Sequence, residues 1–284
     1  MTVEIRKLSP KSFPPLLQEI NDPPETLYLR GSLPPPETKL LAVVGSRRMS
    51  RYGQDACEHL IQGLAGYPIS IVSGLALGID GVAHKAALTA NLHTTAVPGS
   101  GLSEEVLYPR AHLGLSRDII SAGGALMSEM EPEERATPYT FPKRNRLMAG
   151  MSHAVLIIEA TLKSGTLITA RLATEYNREL LIVPHSIFSD GGAGGHLFMG
   201  LGAKPVRSAD DILDTLGLKK EEIQKNIELT EEEMRVMELL HSPMPRDEVI
   251  RTLDIAIGSA NILLAQMELR GIITESMGEV RRNV

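Results

Sequence analysis

The 284-residue chain lacks features that several classes of protein require. It has no tryptophan and a single cysteine, Cys57, which excludes an internal disulfide framework and predicts a small core residue on a helix. No apolar run approaches the roughly 18 residues that a membrane span needs, and the N-terminus lacks the basic-then-apolar pattern of a signal peptide. We therefore expect a cytoplasmic protein without a membrane partner.

Motifs of common catalytic machinery are also missing. The sequence contains no Walker P-loop and no clustered cysteine and histidine spacing for a metal ion. Residues 45–48, Gly-Ser-Arg-Arg, lack the second and third glycines of a dinucleotide-binding fingerprint. We therefore predict no catalytic residues, no metal site and no cofactor, and we do not expect an enzyme.

Four polar residues leave a catalytic alternative open. Asp80 and His84 fall on one predicted helix and could act as a pair, but we favour a helix cap for Asp80 and local bonding for His84. Glu129 and Glu159 end predicted strands. Each of these two carboxylates could be a general acid, or could fix a loop through backbone N–H groups or a nearby arginine such as Arg47 or Arg144.

The net charge does not indicate a nucleic-acid binder. Lysine and arginine total 29 against 35 aspartates and glutamates, which gives −6. Any site for a polyanion must therefore come from a local patch, whose field a cleft can focus.

Short apolar runs alternate with helical patterns from residue 40 onward. Strands are predicted at residues 41–45, 69–74, 94–98, 125–129, 154–159, 180–184 and 204–207, and helices at 53–64, 79–90, 110–122, 144–151, 166–177, 195–201 and 210–216. This alternation predicts an α/β fold with a Rossmann-like, doubly wound, mostly parallel sheet. Ligands of such sheets bind beyond the carboxyl ends of the strands.

The flanking segments differ from this pattern. Residues 1–37 carry eight prolines and predict an N-terminal arm across the surface with a short helix at 14–20. The Rossmann-like domain then covers residues 38–217, a polar linker 218–228, and a winged-helix-like domain of three helices and a hairpin 229–284. That last domain has six arginines, no lysine and ten carboxylates, so a protein contact is at least as consistent with it as duplex binding.

Glycine and hydroxyl residues follow four of the predicted strands, at residues 45–48, 73–80, 97–101 and 159–166. Backbone N–H groups in such turns bind anions. Glycine at a βα turn also permits close packing of a helix on a strand, so each turn alone is ambiguous. The four together predict a phosphate-binding groove.

The segment at residues 141–150 adds charge and an aromatic ring. It carries Phe141, Lys143, Arg144, Asn145 and Arg146 around Pro142, which we expect to end a turn before a helix begins. Phe141 offers a face on which a base can stack, worth roughly 1–3 kcal/mol in single-strand binders. The alternative is a solvated basic turn. Beside the glycine turns, the segment predicts a site for a polyanion that carries bases.

Motifs between about residues 22 and 217 also match one family in order. They are Gly45-Ser46-Arg47, Ser73-Gly74-Leu75-Ala76-Leu77-Gly78-Ile79-Asp80 with Ala83-His84, Tyr108-Pro109, Ser128-Glu129, Phe141-Pro142-Lys143-Arg144-Asn145-Arg146, Glu159-Ala160 and Ser164-Gly165-Thr166-Leu167-Ile168-Thr169-Ala170. Together they resemble the DNA-processing protein A family, also called Smf. The resemblance implies binding of single-stranded DNA, a homodimer, and transfer of the strand to the RecA recombinase in natural transformation.

The resemblance also implies site residues, namely Arg47, Lys143, Arg144 and Asn145 as DNA contacts and Phe141 as a stacking or pocket residue. With the strand-end turns, the predicted single-stranded DNA site comprises Gly45, Ser46, Arg47, Gly74, Phe141, Lys143, Arg144, Asn145, Ser164, Gly165 and Thr166. The self-contact is expected on the helix at 195–201 or 210–216, with the recombinase contact nearby.

Two departures from the family pattern stand out. His185 follows Pro184 where the family usually has glycine, and only a stub at residues 9–20 stands for the family's helical N-terminal domain.

A rival function is that of a nucleotide-processing enzyme similar to the lysine-decarboxylase-like phosphoribohydrolases, whose Pro-Gly-Gly-x-Gly-Thr loop is replaced here by Lys163-Ser164-Gly165-Thr166. A protein-interaction scaffold is a third possibility.

Overall fold

The computed structural model describes residues 3–218, 230–240, 243–253, 255–269, 272–276 and 278–282. The chain divides into two compact units, residues 1–220 and 221–284. The predicted linker at 218–228 lies outside the described residues, apart from Leu218. Within the described ranges, no helix has the length and apolar character needed to cross a bilayer.

The described part of the first unit is a nine-stranded sheet covered by helices on both faces. Its elements are β1 Ile5–Leu8, β2 Leu27–Gly31, β3 Lys39–Val44, α1 Arg51–Gln62, β4 Ile69–Ser73, α2 Ile79–Thr89, β5 His93–Ala96, α3 Leu113–Ser121, β6 Ala125–Ser128, α4 Thr140–Met151, β7 Ala154–Ile157, α5 Thr166–Glu175, β8 Glu179–Ile182, α6 Ala193–Gly200, β9 Lys204–Pro205 and α7 Ala209–Leu216. The strand order is β1-β2-β6-β5-β4-β3-β7-β8-β9. The pairs β1–β2 and β2–β6 are antiparallel, and all other pairs are parallel.

The direction of winding reverses beside β3. The chain runs from β3 through β4, β5 and β6 on one side, and then returns to β7 on the other side of β3. Strands β3 and β7 pair in parallel from Leu41 opposite Ala154 to Val44 opposite Ile157. This confirms the predicted doubly wound, mostly parallel sheet and places its topological switch point at the ends of β3 and β7, where ligands of such sheets bind.

Strand β3 shows why the parallel strands are continuous apolar runs in the amino-acid sequence. Leu40, Ala42 and Val44 pack into the core under α4 and α5, whereas Leu41 and Val43 pack into the core under α1, α2 and α7. Side chains of a strand alternate between faces, so two covered faces require apolar residues at successive positions. Cys57 is fully buried in the second of these cores, as predicted, and its burial raises the pKa of the thiol.

The prediction of an N-terminal surface arm was wrong for two segments. Strand β2 pairs with β6, with Tyr28 opposite Ser128, and β1 pairs with β2, so both strands extend the main sheet. The prolines flank a proline-free apolar stretch in which Leu27 and Leu29 are buried. The predicted helix at 14–20 is a single 3₁₀ turn, Pro15–Gln18.

Helix α4 begins four residues before the predicted start. Thr140 opens the helix, so Phe141, Pro142 and Lys143 form its first turn instead of preceding it. Proline is tolerated there because the first N–H groups of a helix have no intrahelical acceptor. The cations of the basic segment therefore all lie within α4, and Lys143 belongs to its first turn.

The described residues of the second unit form three helices followed by a hairpin, in the order that the winged-helix-like prediction named. The elements are α8 Glu231–Leu239, β10 Met244–Pro245, α9 Arg246–Thr252, α10 Ile257–Leu269, β11 Ile273–Ser276 and β12 Glu279–Arg282. The three strands are antiparallel in the order β10-β12-β11. Thr230 and Glu233 form the predicted capping box, in which each side chain accepts from the other residue's backbone N–H.

Candidate functional site

An open cleft of about 580 Å³ lies at the carboxyl ends of β3 and β7. Its walls are the turn after β3, the first turns of α4 and the turn between β7 and α5. Nine of the eleven predicted site residues line it, namely Gly45, Ser46, Arg47, Phe141, Arg144, Asn145, Ser164, Gly165 and Thr166. Gly74 and Lys143 are outside the lining. The cleft thus occupies the topological switch point, where the fold places ligands.

Close packing of α2 fixes the turn after β3. A Cβ atom on Gly45 would lie 2.6 Å from a side-chain carbon of Ile79, and one on Gly78 would lie 2.2 Å from the carbonyl oxygen of Ser46. Gly78 also has φ +80°, a conformation that other residues rarely adopt. The Ile79 N–H donates to the Ser46 carbonyl over 3.2 Å. The two glycines therefore hold the turn that presents Arg47 to the cleft.

Arg47 and Phe141 stack at the mouth of the cleft. The guanidinium carbon of Arg47 lies 4.9 Å from the centroid of the Phe141 ring, within cation–π range. The Tyr108 ring lies 5.7 Å from the same ring, tilted by 59°. Gly99 leaves room for Phe141, because a Cβ there would approach the ring to 2.6 Å. Tyr108 was absent from the predicted site, although the Tyr108-Pro109 motif was the signal that could have found it.

Arg144 is buried in the wall of the cleft. Its side chain is 6% exposed, its Nη1 atom lies 3.9 Å from the Asp80 carboxylate, and the same nitrogen donates to the Met148 sulfur over 3.1 Å. Burial raises the pKa of the Asp80 carboxyl, an effect that the Arg144 charge opposes, and burial lowers the pKa of Arg144. Gly74 lies under this guanidinium, since an added Cβ would be 1.4 Å from Nη1. Gly74 thus makes room for Arg144 instead of lining the cleft.

Glu129 binds the other two cations of the basic segment. Its Oε1 lies 2.6 Å from Arg146, and its Oε2 lies 3.6 Å from the Lys143 ammonium. Arg146 also donates to the carbonyl of Asp22 over 2.8 Å. Of the alternatives that the sequence left open for Glu129, pairing with Arg47 or Arg144 is not observed; its partners are Arg146 and Lys143. Lys143 keeps 53% of its side chain exposed, whereas Arg146 keeps 11%.

Glu159 holds the N-terminus of α1. Its Oε2 accepts from the Ser50 backbone N–H at 3.0 Å and from the Ser50 hydroxyl at 2.7 Å. The Ser50 hydroxyl oxygen in turn accepts from the Gly53 N–H, which caps the helix. This is the loop-fixing alternative of the two that the sequence left open.

His84 is a fully buried core residue, as the local-bonding prediction has it. Its Nδ1 and the Thr94 hydroxyl form a hydrogen bond of 2.7 Å inside the core. Asp80 does not cap its helix from the N-cap position, which Gly78 occupies; it accepts from the Ala76 N–H at 3.4 Å. Burial lowers the pKa of His84 to about 3.

The pKa of His84 predicts a pH dependence of stability. An unfolded histidine takes up a proton near pH 6.5, but folded His84 does so only near pH 3, so its contribution is complete above pH 6.5 and is lost as the pH falls toward 3. We expect its ring resonances in NMR, assigned with His84→Gln, to show a neutral imidazole down to about pH 4. A midpoint near pH 6 would contradict the buried environment.

The turn between β7 and α5 is tied to the turn after β3. The Thr166 hydroxyl donates to the Gly45 carbonyl over 3.1 Å, and the Ser164 hydroxyl oxygen accepts from the Thr166 N–H at 3.2 Å. Gly165 faces open space. The two hydroxyl groups thus join the loops on either side of the switch point.

His185 does not line the cleft. Its ring packs edge-on against Tyr52 with centroids 4.8 Å apart, and its Nδ1 lies 3.0 Å from the Val183 carbonyl oxygen. Gly192 makes this placement possible, because a Cβ there would lie 2.3 Å from that of His185. The departure from the family glycine is thus accommodated beside the cleft.

Comparison with known sequences gives a consistent assignment. The family model described as DNA recombination-mediator protein A matches residues 4–217. Protein Smf of Escherichia coli K12 is 42% identical over 204 residues, which are 72% of this chain and 54% of that protein. The chain therefore matches about half the length of that relative. DNA processing protein DprA of Bacillus subtilis is 35% identical over 225 residues, 79% of this chain and 73% of that one.

Two solved structures share the fold. DNA processing protein A from Streptococcus pneumoniae superposes with a TM-score of 0.69 at 39% identity, covering 74% of each chain. A structure of DNA processing protein A from Helicobacter pylori, solved to describe its single-stranded DNA binding mode, gives 0.66 at 28% identity over 76% of this chain and 98% of that one. From the match over residues 4–217 and these relatives, the chain belongs to the DNA recombination-mediator protein A family.

Proposed function

We propose that this protein binds single-stranded DNA in the cleft at the ends of β3 and β7 and, as a homodimer, hands the strand to a RecA-type recombinase without a chemical step of its own. The observation that carries the proposal is the Arg47 guanidinium stacked on the Phe141 ring at the mouth of that cleft. A cation on an aromatic face offers one contact for a phosphate and one for a base.

Exposed cations near the cleft supply the phosphate contacts. Arg47 and Arg48 follow β3, and Lys163 follows β7; all three are exposed. Among the residues that the structure describes, none of the three has a carboxylate within 4.0 Å. Each free cation can neutralise a phosphate and release a condensed counterion, which favours a polyanionic strand over a small neutral ligand.

Aromatic rings supply the contacts to bases. Phe141 is half-buried between Arg47 and Tyr108, and Tyr108 itself is exposed at 47%. The exposed Tyr108 ring can stack a base that is not already stacked in a duplex, worth roughly 1–3 kcal/mol per base. Stacking and phosphate contacts do not read base edges, so we expect little sequence preference.

The polar groups that could have served catalysis are engaged in the fold. Glu129 pairs with Arg146, Glu159 accepts from Ser50, and His84 is hydrogen-bonded to Thr94. This supports a binding role. The single-stranded DNA binding mode described for the Helicobacter pylori relative supports the same ligand here.

The homodimer and the recombinase rest on the family resemblance. One feature of the fold supports a self-contact near α6, where Leu197 and Leu201 are exposed and apolar. The lining of a second concavity beside β9 includes Leu201 and Phe198. We propose this side of the first unit as the contact between two copies, with the recombinase contact beside it.

Fluorescence anisotropy of a labelled thymidine oligomer against an equal-length duplex, at several salt concentrations, tests the DNA-binding proposal. We expect tighter binding of the single strand, with an affinity that falls by about 0.7 log units per log unit of salt for each phosphate contact. Three or four cations then give a slope of about −2 to −3. RecA filament assembly on the same oligomer is the next measurement.

Two results would overturn the proposal. Absence of binding near physiological salt would contradict single-stranded DNA as the ligand. Equal weak binding of single strand and duplex would contradict the selectivity on which strand transfer depends. In the second case the cleft would fit a small phosphorylated ligand better than a strand.

A further inference from the structure

Exposed aromatic side chains are confined to one edge of the first unit. The chain has six tyrosines and four phenylalanines, and all ten fall in the range 3–218 that the structure describes. Only Tyr52, Tyr108, Tyr139 and Phe188 have large exposed surfaces. Each of the four follows the carboxyl end of a strand, β3, β5, β6 and β8 respectively.

The order of the strands shows how these aromatic residues are distributed along the sheet edge. Parallel strands end at the same edge, and the neighbouring strands run β6-β5-β4-β3-β7-β8. Thr140, next to Tyr139, donates its hydroxyl to the carbonyl of Gly99 after β5, and Phe188 stands in the turn after β8, so the cleft at β3 and β7 lies between the two rings. The strands from β5 to β8 are separated by four gaps of about 4.8 Å, roughly 19 Å in all.

Covalent geometry connects both outer rings to the cleft. Tyr139 precedes Phe141 by two residues, which limits the separation of their Cα atoms to about 7 Å. Phe188 precedes Gly191, a residue of the cleft wall, by three residues, a limit of about 11 Å. The two rings therefore continue the surface of the cleft.

Both outer rings are unusually exposed. Tyr139 is 87% exposed and Phe188 is 92% exposed, although a fully buried phenylalanine gains roughly 1.5–3 kcal/mol. The Phe188 turn is held by hydrogen bonds, from its own N–H to the Ser186 hydroxyl oxygen at 3.3 Å and from the Ser189 N–H to the Ser186 carbonyl at 2.9 Å. The turn thus presents the Phe188 ring to solvent in a defined place.

We propose that Tyr139 and Phe188 are outer base-stacking positions, so that the path of the single strand runs along the carboxyl edge from the β5 side to the β8 side and beyond the cleft. This inference rests on the proposed function. The occupant is a single strand because three exposed cations follow β3 and β7, the strands whose ends lie between the two rings. They are Arg47, Arg48 and Lys163. A series of rings interleaved with cations fits alternating bases and phosphates.

The test compares two thymidine oligomers, of about 4 and about 16 nucleotides, the range of known single-strand sites. We expect Tyr139→Ala/Phe188→Ala to bind the longer oligomer about tenfold or more weakly and the shorter one within about twofold of the unchanged protein. Tyr139→Phe/Phe188→Tyr keeps both rings and is the matched control, with binding of both oligomers retained. Both positions are exposed, so the thermal midpoint of each variant should stay within about 2 °C.

The absence of tryptophan provides a second measurement. Phe188→Trp and Tyr139→Trp each introduce a single fluorophore, whose emission should be quenched by the longer oligomer and not by the shorter one. Unchanged affinity of the double alanine variant, or an equal loss on both oligomers, overturns the outer positions while leaving the proposed function in place. If the unchanged protein binds neither oligomer, the proposed function itself fails.

Discussion

The double variant Arg47→Ala/Lys143→Ala is expected to bind single-stranded DNA at least about tenfold more weakly than the unchanged protein at physiological salt. Arg47 carries no carboxylate partner and stacks on Phe141, and Lys143 is half-exposed beside a carboxylate 3.6 Å away. Arg47 lines the cleft, and Lys143 lies just outside the lining, two residues after Phe141, with 53% of its side chain exposed. Their removal eliminates two phosphate contacts, so the salt slope should also fall by about 1.4.

A matched variant separates this effect from net charge. Lys11→Ala/Lys85→Ala also removes two positive charges, but from exposed positions outside the cleft lining. Its affinity is expected to stay within about twofold of the unchanged protein, because exposed charges beyond a Debye length of about 8 Å are largely screened. Equal losses in both double variants would show that the total charge, and not the cleft, governs binding. Anisotropy titrations with the same oligomer measure the affinity of each double variant.

Asp80→Ala is expected to lower the free energy of unfolding by about 3–5 kcal/mol. The substitution leaves the Arg144 guanidinium, 6% exposed and seated over Gly74, without its carboxylate in the wall of the cleft. A buried cation without a partner retains its full desolvation cost. Urea denaturation followed by circular dichroism measures the change, provided that the m-value is unaltered.

Two further variants identify the cause. Asp80→Leu/Arg144→Met removes both charges and should recover most of the loss, since an apolar pair of similar volume is often as stable as a buried ion pair. Asp118→Ala removes an exposed carboxylate from α3 and should change the unfolding free energy by no more than about 0.5 kcal/mol. A cost below about 1 kcal/mol for Asp80→Ala would mean that Arg144 relaxes into the open cleft and finds water there.

The elements of the sheet were largely predictable from the sequence. Residues 69–74 and 125–129 were predicted as strands and are strands at Ile69–Ser73 and Ala125–Ser128, because burial of both faces requires a continuous apolar run. Strands β1 and β2 were missed, since their proline-rich flanks concealed the short alternating stretch that pairs with β6. The start of α4 was missed because Pro142 suits a turn and a first helical turn equally well.

The sequence alone determined the fold class and the edge of the sheet at which the glycine, hydroxyl and basic turns meet, since both follow from local periodicity and from the common direction of parallel strands. Only the tertiary structure decided which of those cations are free. Arg144 is held by Asp80, Arg146 by Glu129 and Asp22, while Arg47 rests on a ring that is distant in sequence. Ion pairing and burial depend on contacts between residues far apart in the chain, and local sequence patterns do not record them.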